Sequence, residues 1–157
     1  MKSNHIYIEE LDKKIISFIR KHHILTLATA HQNIPYCCTC FYVYREKEND
    51  FIVTSDLHTR HVKELLTQPA VAGTIALETT MVGKIQGVQF TGTIAKITRE
   101  EFNYIRLYYI KKFPVATLSK LVLWQIKPDL IKFTDNRLGL GKKMVWMAKN
   151  ELALKYD

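Results

Sequence analysis

The sequence predicts a mainly β fold, an antiparallel β-barrel with helices at its periphery. Six or so segments have the length and residue types of strands, and most are joined by short turns. Only three or four segments have helical spacing, so the regular strand–helix alternation of a parallel α/β sheet is absent. With 157 residues, 47% of them hydrophobic, the chain has the composition of one globular domain. We expect a single domain over residues 1–157, with its barrel core at about 8–135 and a basic extension at 136–157.

The first part of the chain predicts one helix followed by three strands. An amphipathic helix over residues 8–22 is indicated by four apolar side chains at helical spacing: Leu11, Ile15, Phe18 and Ile19. The apolar segment 24–30 and the aromatic-rich segment 36–45 are separated by turn residues, which predicts a β-hairpin. A third strand is expected at 51–55, after a charged turn.

A short helix and two further strands are predicted next. The helix begins near Thr59, ends before Pro69, and is expected to bury three apolar side chains: Val62, Leu65 and Leu66. Segments 70–77 and 88–97 either alternate or run apolar, so both are expected to be strands.

The last third of the chain opens with a capping box. Thr98 and Glu101 have the N-cap and N3 spacing, so we expect a helix over 98–112. Three side chains define its buried face: Phe102, Ile105 and Tyr109. Two more strands are expected on either side of a Pro128–Asp129 turn: 121–126 and 130–134. The residues after Lys142 have a helical tendency.

The chain is basic, and its charge is unevenly distributed. There are 23 Lys and Arg residues against 15 Asp and Glu residues, a formal net charge of +8. Residues 1–98 contribute +2 and residues 99–157 contribute +6. A nucleic acid, an anionic cofactor and solubility alone are all consistent with such a surplus.

The lack of a recognisable targeting signal and the cysteine usage predict a cytoplasmic protein. No basic segment leads into an apolar one at the start, and no apolar run approaches the ~20 residues that span a bilayer. The three cysteines, Cys37, Cys38 and Cys40, are odd in number. Neighbouring strand residues point to opposite faces, so Cys37 and Cys38 make a poor disulfide pair and we expect reduced thiols.

The segment 54–61, with the sequence TSDLHTRH, is the strongest candidate for a binding site. A strand is expected to end there and a helix to begin, which gathers backbone N–H groups at one point. Ser55 and Thr59 add hydroxyl groups, and the guanidinium of Arg60 suits the oxygens of a phosphate. An ordinary helix cap beside a solvated arginine is the simpler interpretation of the same residues.

The order of elements resembles that of the pyridoxamine 5′-phosphate oxidase-like FMN-binding split barrels over about residues 8–135. Three places carry the resemblance: Leu27-Ala28-Thr29 with Pro35, Thr54-Ser55 with Thr59-Arg60, and Gln89-Phe90-Thr91-Gly92. Segments 113–116 and 132–146 are similar to a largely uncharacterised bacterial branch, the YhbP-like proteins. The resemblance implies an antiparallel split β-barrel, a homodimer, and FMN bound without a covalent bond at the subunit interface of an oxidoreductase.

The resemblance also assigns cofactor-binding residues. Thr59 and Arg60 match the pair that grips the FMN phosphate, and Thr54 and Ser55 match the strand end that faces the ribityl chain. Three more residues complete the set: Phe41 and Tyr42 on the strand that borders the flavin ring, and Gln89 on the strand beneath it. The family often has Lys after the arginine; here His61 follows it and is a weaker phosphate ligand. No side chain is assigned as catalytic, and the substrate is not indicated.

Other functions remain open at the level of sequence. A haem-binding or cofactor-free split barrel is one alternative, for which His58 and His61 are the only hint. A basic nucleic-acid-binding protein is the less favoured one, because aromatic and basic residues interleave over 104–112 but no known module is present. The cysteines lack zinc-ligand spacing, so no metal is expected. The segment 139–143 lacks the spacing of a phosphate loop, and we expect it to shape the substrate side of the pocket or a dimer contact.

Overall fold

Six strands close into a barrel in the computed structural model, which describes residues 5–139 and 141–148. The mainly β, antiparallel fold class is therefore confirmed. Eight strands form one sheet in the order β1-β8-β7-β4-β3-β2-β5-β6, and β6 also pairs with β7. The strands are β1 His5–Ile8, β2 Ile24–His31, β3 Ile34–Arg45, β4 Asp50–Thr54, β5 Ala70–Ala76, β6 Gln86–Lys96, β7 Leu123–Asp135 and β8 Lys143–Met147.

The long strand β7 changes partner along its length. Its first residues pair with β4, from Leu123 to Ile126, whereas its last residues pair with β8. The change falls at Pro128, which has no N–H to give to a ladder and is tolerated beside a bulge. The expectation of two strands divided by a Pro–Asp turn is therefore wrong, because one continuous strand runs through Pro128.

Gly92 allows β6 to approach β7 closely at the same bulge. A Cβ added there would lie 2.2 Å from the carbonyl oxygen of Lys127 and 2.8 Å from the Cα of Pro128. Both contacts are with backbone atoms, which cannot rotate aside. Glycine at this position is thus a requirement of barrel closure.

Two of the strands were not anticipated. Residues 5–8 form β1, so the helix expected from residue 8 begins only at Lys13. The helical tendency after Lys142 is also wrong, since β8 pairs antiparallel with β7 and parallel with β1. Backbone pairing with an open edge of β7 overrides the weak local preference of a five-residue segment. Residues 149–157 of the expected basic extension lie outside the described residues.

Three α-helices lie against the barrel in the described part of the chain: α1 Lys13–Lys21, α2 Arg60–Leu65 and α3 Arg99–Lys112. The carboxylate of Asp12 caps α1 by accepting from the N–H of Lys14 at 2.7 Å. Thr98 caps α3 by accepting from the N–H of Glu101, as the capping box predicts. In α2, Val62 and Leu65 are buried as expected, but Leu66 is 67% exposed.

The core has two parts, one inside the barrel and one beneath α3. Inside, Phe51 stacks on Phe90 with ring centroids 5.0 Å apart, and Phe18 of α1 packs against Phe133. Beneath α3, Ile105 and Tyr109 are buried as predicted. Among the described residues, no helix has both the length and the apolar character that a membrane span requires.

A buried ion pair lies at the turn between β3 and β4. Arg45 donates to Asp50 through Nε at 2.8 Å and Nη2 at 2.6 Å, and both side chains are nearly inaccessible. Gln125 of β7 donates to the same carboxylate at 2.5 Å. The carboxylate therefore links three neighbouring strands of the barrel.

We expect Gly92→Ala to destabilise the protein, because the added methyl group meets fixed backbone atoms of β7. Overpacking of this kind costs about 1–3 kcal/mol, and about 2–4 °C of Tm per kcal/mol at this chain length. Thermal unfolding followed by circular dichroism measures the effect. Gly83→Ala is the control, because nothing lies within 4 Å of its added Cβ. Equal Tm values for the two variants would contradict the close approach at Gly92.

We expect Asp50→Asn to lower the free energy of unfolding by about 3–5 kcal/mol, because it leaves the buried guanidinium of Arg45 without a counter-charge. Urea denaturation measures the change. Glu46→Gln is the matched control: its partner Arg20 lies at 3.1 Å, but the two side chains are 50% and 67% exposed. Exposed pairs contribute about 0–1 kcal/mol, so a similar loss in both variants would argue against a special role for the buried pair.

Candidate functional site

The end of β4 and the start of α2 form a corner that contains five of the predicted site residues. Trp124 anchors the corner to β7 by donating from its indole N–H to the carbonyl oxygen of Ser55 at 3.1 Å. The N–H of Ser55 donates to the carbonyl of Val122 at 3.2 Å. Thr54 is the last residue of β4, and the turn and helix that follow contribute Thr59, Arg60 and His61.

The hydroxyl groups of this corner donate to the backbone. Thr54 donates to the carbonyl of Val122 at 3.1 Å, and Ser55 donates to that of Thr54 at 2.8 Å. Thr59 donates to the carbonyl of Asp56 at 2.7 Å, and its side chain does not cap α2. Thr59 occupies the N-cap position of α2, but the ordinary helix-cap interpretation does not hold because its hydroxyl makes no cap hydrogen bond. The hydroxyl protons of the corner must reorient before they can donate to an anion.

Arg60 is held in place on two sides. Its Nε donates to Oε1 of Glu64 at 2.8 Å, and its guanidinium carbon lies 4.3 Å from the ring centroid of Tyr36 on β3. The side chain is 53% exposed. Among the described residues, its two terminal nitrogens have no hydrogen-bond partner, so a flat pair of donors is oriented toward solvent.

Glu64 is the residue of the corner that the sequence interpretation missed. It is buried in α2 and accepts from the hydroxyl of Thr29 on β2 at 2.5 Å as well as from Arg60. The Thr29 hydroxyl and then the Arg60 guanidinium hold the pKa of the Glu64 carboxyl below its usual range. The available signal was the Arg60–Glu64 spacing, because oppositely charged residues four apart on a helix are neighbours.

His61 follows Arg60 at the start of α2 and is partly buried. Burial lowers the pKa of His61 below its usual value of about 6.5, although the carboxylate of Glu64 opposes this. Its Nε2 lies 3.3 Å from the hydroxyl oxygen of Thr59. At pH 7 the imidazole is therefore neutral, and Arg60 is the cation of the corner.

The other three predicted site residues lie elsewhere. The side chain of Tyr42 is fully buried and donates to the carbonyl of Ile19 at 2.5 Å, so only its backbone faces the next strands. Phe41 is 54% exposed on the opposite face of β3 and packs edge-on against Phe113. Gln89 lines a shallow hollow of about 410 Å³ on the outer face of the sheet.

Small side chains make this hollow possible. The outward residues of β2 and β5 there are two alanines and two threonines, with Gly73 and Cys37 beside them: Thr26, Ala28, Ala72 and Thr74. Gln89 and Lys132 provide the long polar side chains of its lining. Within the described chain no helix is among the lining elements, so this face of the barrel is open.

The cysteines on the inner face of β3 lie close together. The sulfur atoms of Cys38 and Cys40, two residues apart on one face of the strand, lie 3.9 Å from each other. The contact with Cys40 and burial raise the pKa of Cys38, and the contact with Cys38 lowers that of Cys40. All three cysteines are free thiols. No group of three or more metal-ligating side chains occurs in residues 5–139 and 141–148.

Comparison with known proteins identifies relatives over most of the chain. The sequence profile of the pyridoxamine 5′-phosphate oxidase family matches residues 11–135. A UPF0306 protein of Photorhabdus laumondii is 39% identical over 129 residues, which cover 82% of this chain and 90% of the relative. A UPF0306 protein of Klebsiella pneumoniae is 40% identical over 82% of this chain and 88% of its own length.

Solved structures with the same fold are more distant in sequence. A putative pyridoxamine 5′-phosphate oxidase of Listeria innocua has a TM-score of 0.65 at 16% identity, covering 79% of this chain and 98% of that one. A FAD-binding protein of Mesorhizobium loti has a TM-score of 0.63 at 11% identity, covering 75% and 87%. HutZ, the haem storage protein of Vibrio cholerae, has a TM-score of 0.61 at 17% identity, covering 76% and 90%.

We expect Glu64→Gln to reduce the acid sensitivity of the protein. Because the native pKa of Glu64 is lowered, its contribution to stability is present above the unfolded pKa of about 4.3 and is lost as the pH falls through the native pKa. The difference in unfolding free energy between wild type and Glu64→Gln should therefore shrink below about pH 4. Glu78→Gln, at an exposed position, is the control. A constant difference from pH 3 to pH 7 would refute the ionised Thr29–Glu64–Arg60 arrangement.

Proposed function

The chain belongs to the pyridoxamine 5′-phosphate oxidase family, and from this membership we propose that it binds FMN and acts as an oxidoreductase. The orientation of Arg60 carries the proposal. Its guanidinium is fixed by Glu64 and Tyr36 and offers two terminal nitrogens at the position that the family uses to grip the FMN phosphate. A phosphate takes two parallel N–H donors well, and an arginine that is already oriented loses little conformational freedom on binding.

The outer face of the barrel suits the remainder of the cofactor. In the proposal, the ring lies against this face, bordered by the backbone of β3 at Phe41 and Tyr42 and by Gln89 of β6. The small side chains Ala28 and Ala72 leave a hollow of about 410 Å³ there. A planar ring requires such a flat and uncrowded support, and the amide of Gln89 can both donate and accept hydrogen bonds.

A second copy of the chain completes the proposed site. The hollow is open to solvent in one chain, and a cofactor at such a surface needs a further wall to exclude water. The resemblance to dimeric split barrels supplies that wall from the partner. We therefore propose a homodimer in which each FMN is bound by strand residues of one chain and loops of the other.

The bound FMN would supply the redox chemistry by accepting and releasing electrons. Arg60 and Thr59 would hold the phosphate, and Thr54 and Ser55 would contact the chain that links phosphate to ring. His61, neutral at pH 7, would add a hydrogen bond and no charge. No catalytic side chain is assigned, since orientation and water exclusion are the tasks that this proposal gives to the protein.

We expect the purified protein to bind FMN and to absorb near ~450 nm, as flavoproteins do. Titration of FMN followed by quenching of flavin fluorescence measures the affinity, and analytical ultracentrifugation measures the mass. A dimer with one FMN per chain is the expected result. Failure to bind added FMN would refute the proposal, and a haem Soret band in its place would favour the haem-binding alternative.

We expect Arg60→Lys to weaken FMN binding about tenfold or more, because it keeps the ion pair with Glu64 but removes the planar pair of donors. Riboflavin, which lacks the phosphate, should bind wild type and variant equally. Arg20→Lys is the matched control, because Arg20 pairs with Glu46 at 3.1 Å on another surface. A riboflavin affinity that falls as much as the FMN affinity would contradict a phosphate role for Arg60.

We expect His61→Lys to tighten FMN binding about tenfold, because it adds a cation where the native imidazole is neutral. The increase should diminish with added salt, since it is electrostatic. The same FMN titration at two ionic strengths measures it. An unchanged or weaker affinity would place His61 away from the phosphate.

A further inference from the structure

A cleft of about 300 Å³ lies between α1, the end of β7 and β8, and it shares no lining residue with the Arg60 corner or the outer hollow. Its apolar surface comes from four side chains: Ile6, Phe133, Leu138 and Met144. Phe133 belongs to the barrel interior, so the cleft opens on the inner side of the sheet, beneath α1. An apolar floor of this size accommodates one ring system.

Three lysines line the same cleft. Lys14 comes from α1, Lys142 directly precedes β8, and Lys143 is the first residue of β8. Within the described residues, none of the three pairs with a carboxylate. Like charges that line one small cleft repel one another, so an anion bound between the three lysines would be favoured.

The acidic residue of the cleft is already neutralised. Asp135 accepts from Arg137 through Nε at 3.0 Å and Nη2 at 2.8 Å, and from Gln86 at 3.0 Å. The Arg137 guanidinium holds the pKa of Asp135 below its usual range, so the pair stays formed at neutral pH. Asp12, the cap of α1, accepts from the backbone of Lys14 and leaves the ammonium group of that lysine free.

The loop that presents the two lysines is built around one amide side chain. Asn136 donates to the carbonyl of Val82 at 2.8 Å and accepts from the N–H of Gly141 at 3.4 Å. Gly139 and Gly141 have φ values of +121° and +78°, which favour glycine. These contacts tie Gly141, the residue directly before Lys142, to Asn136 and through it to Val82.

A second cationic cleft adjoins the first. It has a volume of about 360 Å³, shares Lys14 with the first cleft, and adds Lys13, Lys21 and Arg137. The positive charge therefore extends beyond a single phosphate group along the length of α1. This surface contains Lys142 and Lys143 from the second half of the chain together with the lysines of α1.

We propose that the cleft between Lys14, Lys142 and Lys143 binds a phosphorylated small molecule with a planar or apolar ring, of about the size of a mononucleotide. The ammonium groups of the lysines would bind the phosphate, and the apolar side chains of Leu138 and Met144 would pack against the ring. This site goes beyond the proposed FMN function and does not depend on it. Its independence is testable because the two sites share no residue.

The binding test uses AMP as the probe, on the protein as purified and on protein that carries one equivalent of FMN per chain, with excess FMN removed by gel filtration. We expect AMP to bind in both cases and to shift the backbone amide NMR signals of Gly139, Gly141 and Lys142. Adenosine lacks the phosphate and inorganic phosphate lacks the ring, so each should bind at least about tenfold more weakly than AMP. Loss of AMP binding in the protein that carries one equivalent of FMN would mean a single shared site and would overturn the inference.

Variants distinguish binding at this cleft from a general effect of the protein's net positive charge. Lys142→Gln combined with Lys143→Gln should weaken AMP binding about 10- to 100-fold. Lys120→Gln combined with Lys127→Gln makes the same change in net charge and should leave AMP binding unchanged. Leu138→Asn should weaken the binding of AMP but not that of inorganic phosphate. Equal losses in the two double variants would overturn the proposal.

A single-stranded oligonucleotide distinguishes a small ligand from a polymer. We expect it to bind no more tightly than AMP, with a weak dependence on salt, because the cleft holds one phosphate and one ring. Much tighter binding that falls steeply with added salt would mean that the two adjoining cationic clefts together bind a polyanion. That outcome, like the absence of any AMP binding, would refute a small-molecule site.

Discussion

The pairing of β6 with β7 is the constraint on which the rest of the structure depends. It is the pairing that joins the two ends of the six-stranded sheet, over eleven residue pairs from Gln86–Asp135 to Lys96–Trp124. Closure brings Phe51 and Phe90 together in the interior and removes two sheet edges that would otherwise be free to aggregate. Gly92 and Pro128 meet at its bulge, so one residue without a side chain and one without an N–H make the closure possible.

The Arg60 corner inherits its geometry from this closed barrel. Glu64 reaches Thr29 of β2, Tyr36 of β3 lies beneath the guanidinium, and Trp124 of β7 anchors the loop before α2. Three strands thus position one cation. A buried carboxylate is costly unless it is paired, so the orientation of Arg60 also satisfies a requirement of the fold itself. The proposed phosphate binding and the stability of the fold would therefore be coupled at this corner through Glu64.

Much of the architecture could be predicted from sequence, because the helix of 99–112 and most strands have strong local patterns. The errors arose where pairing outweighed pattern. The Pro128–Asp129 pair predicts a turn, because the bulge that lets a strand pass through Pro128 depends on pairing with β6. The strand β8 has only five residues and cannot be identified before its partner β7 is placed. Arg60 was found as a candidate by its motif, whereas Glu64 was missed because its role depends on Thr29, thirty-five residues away. Such long-range contacts leave no local trace in a single sequence.

The three cysteines differ in ways that matter for chemical labelling. Cys38 and Cys40 point inward with sulfur atoms 3.9 Å apart, and Cys40 is 5% exposed. Cys37, one residue away on the alternate face, is exposed and lines the outer hollow. A thiol-reactive dye should therefore attach selectively at Cys37 in the folded chain. The native sequence thus provides a site for attaching a fluorescent label on the open face of the barrel, and no cysteine needs to be introduced for that purpose.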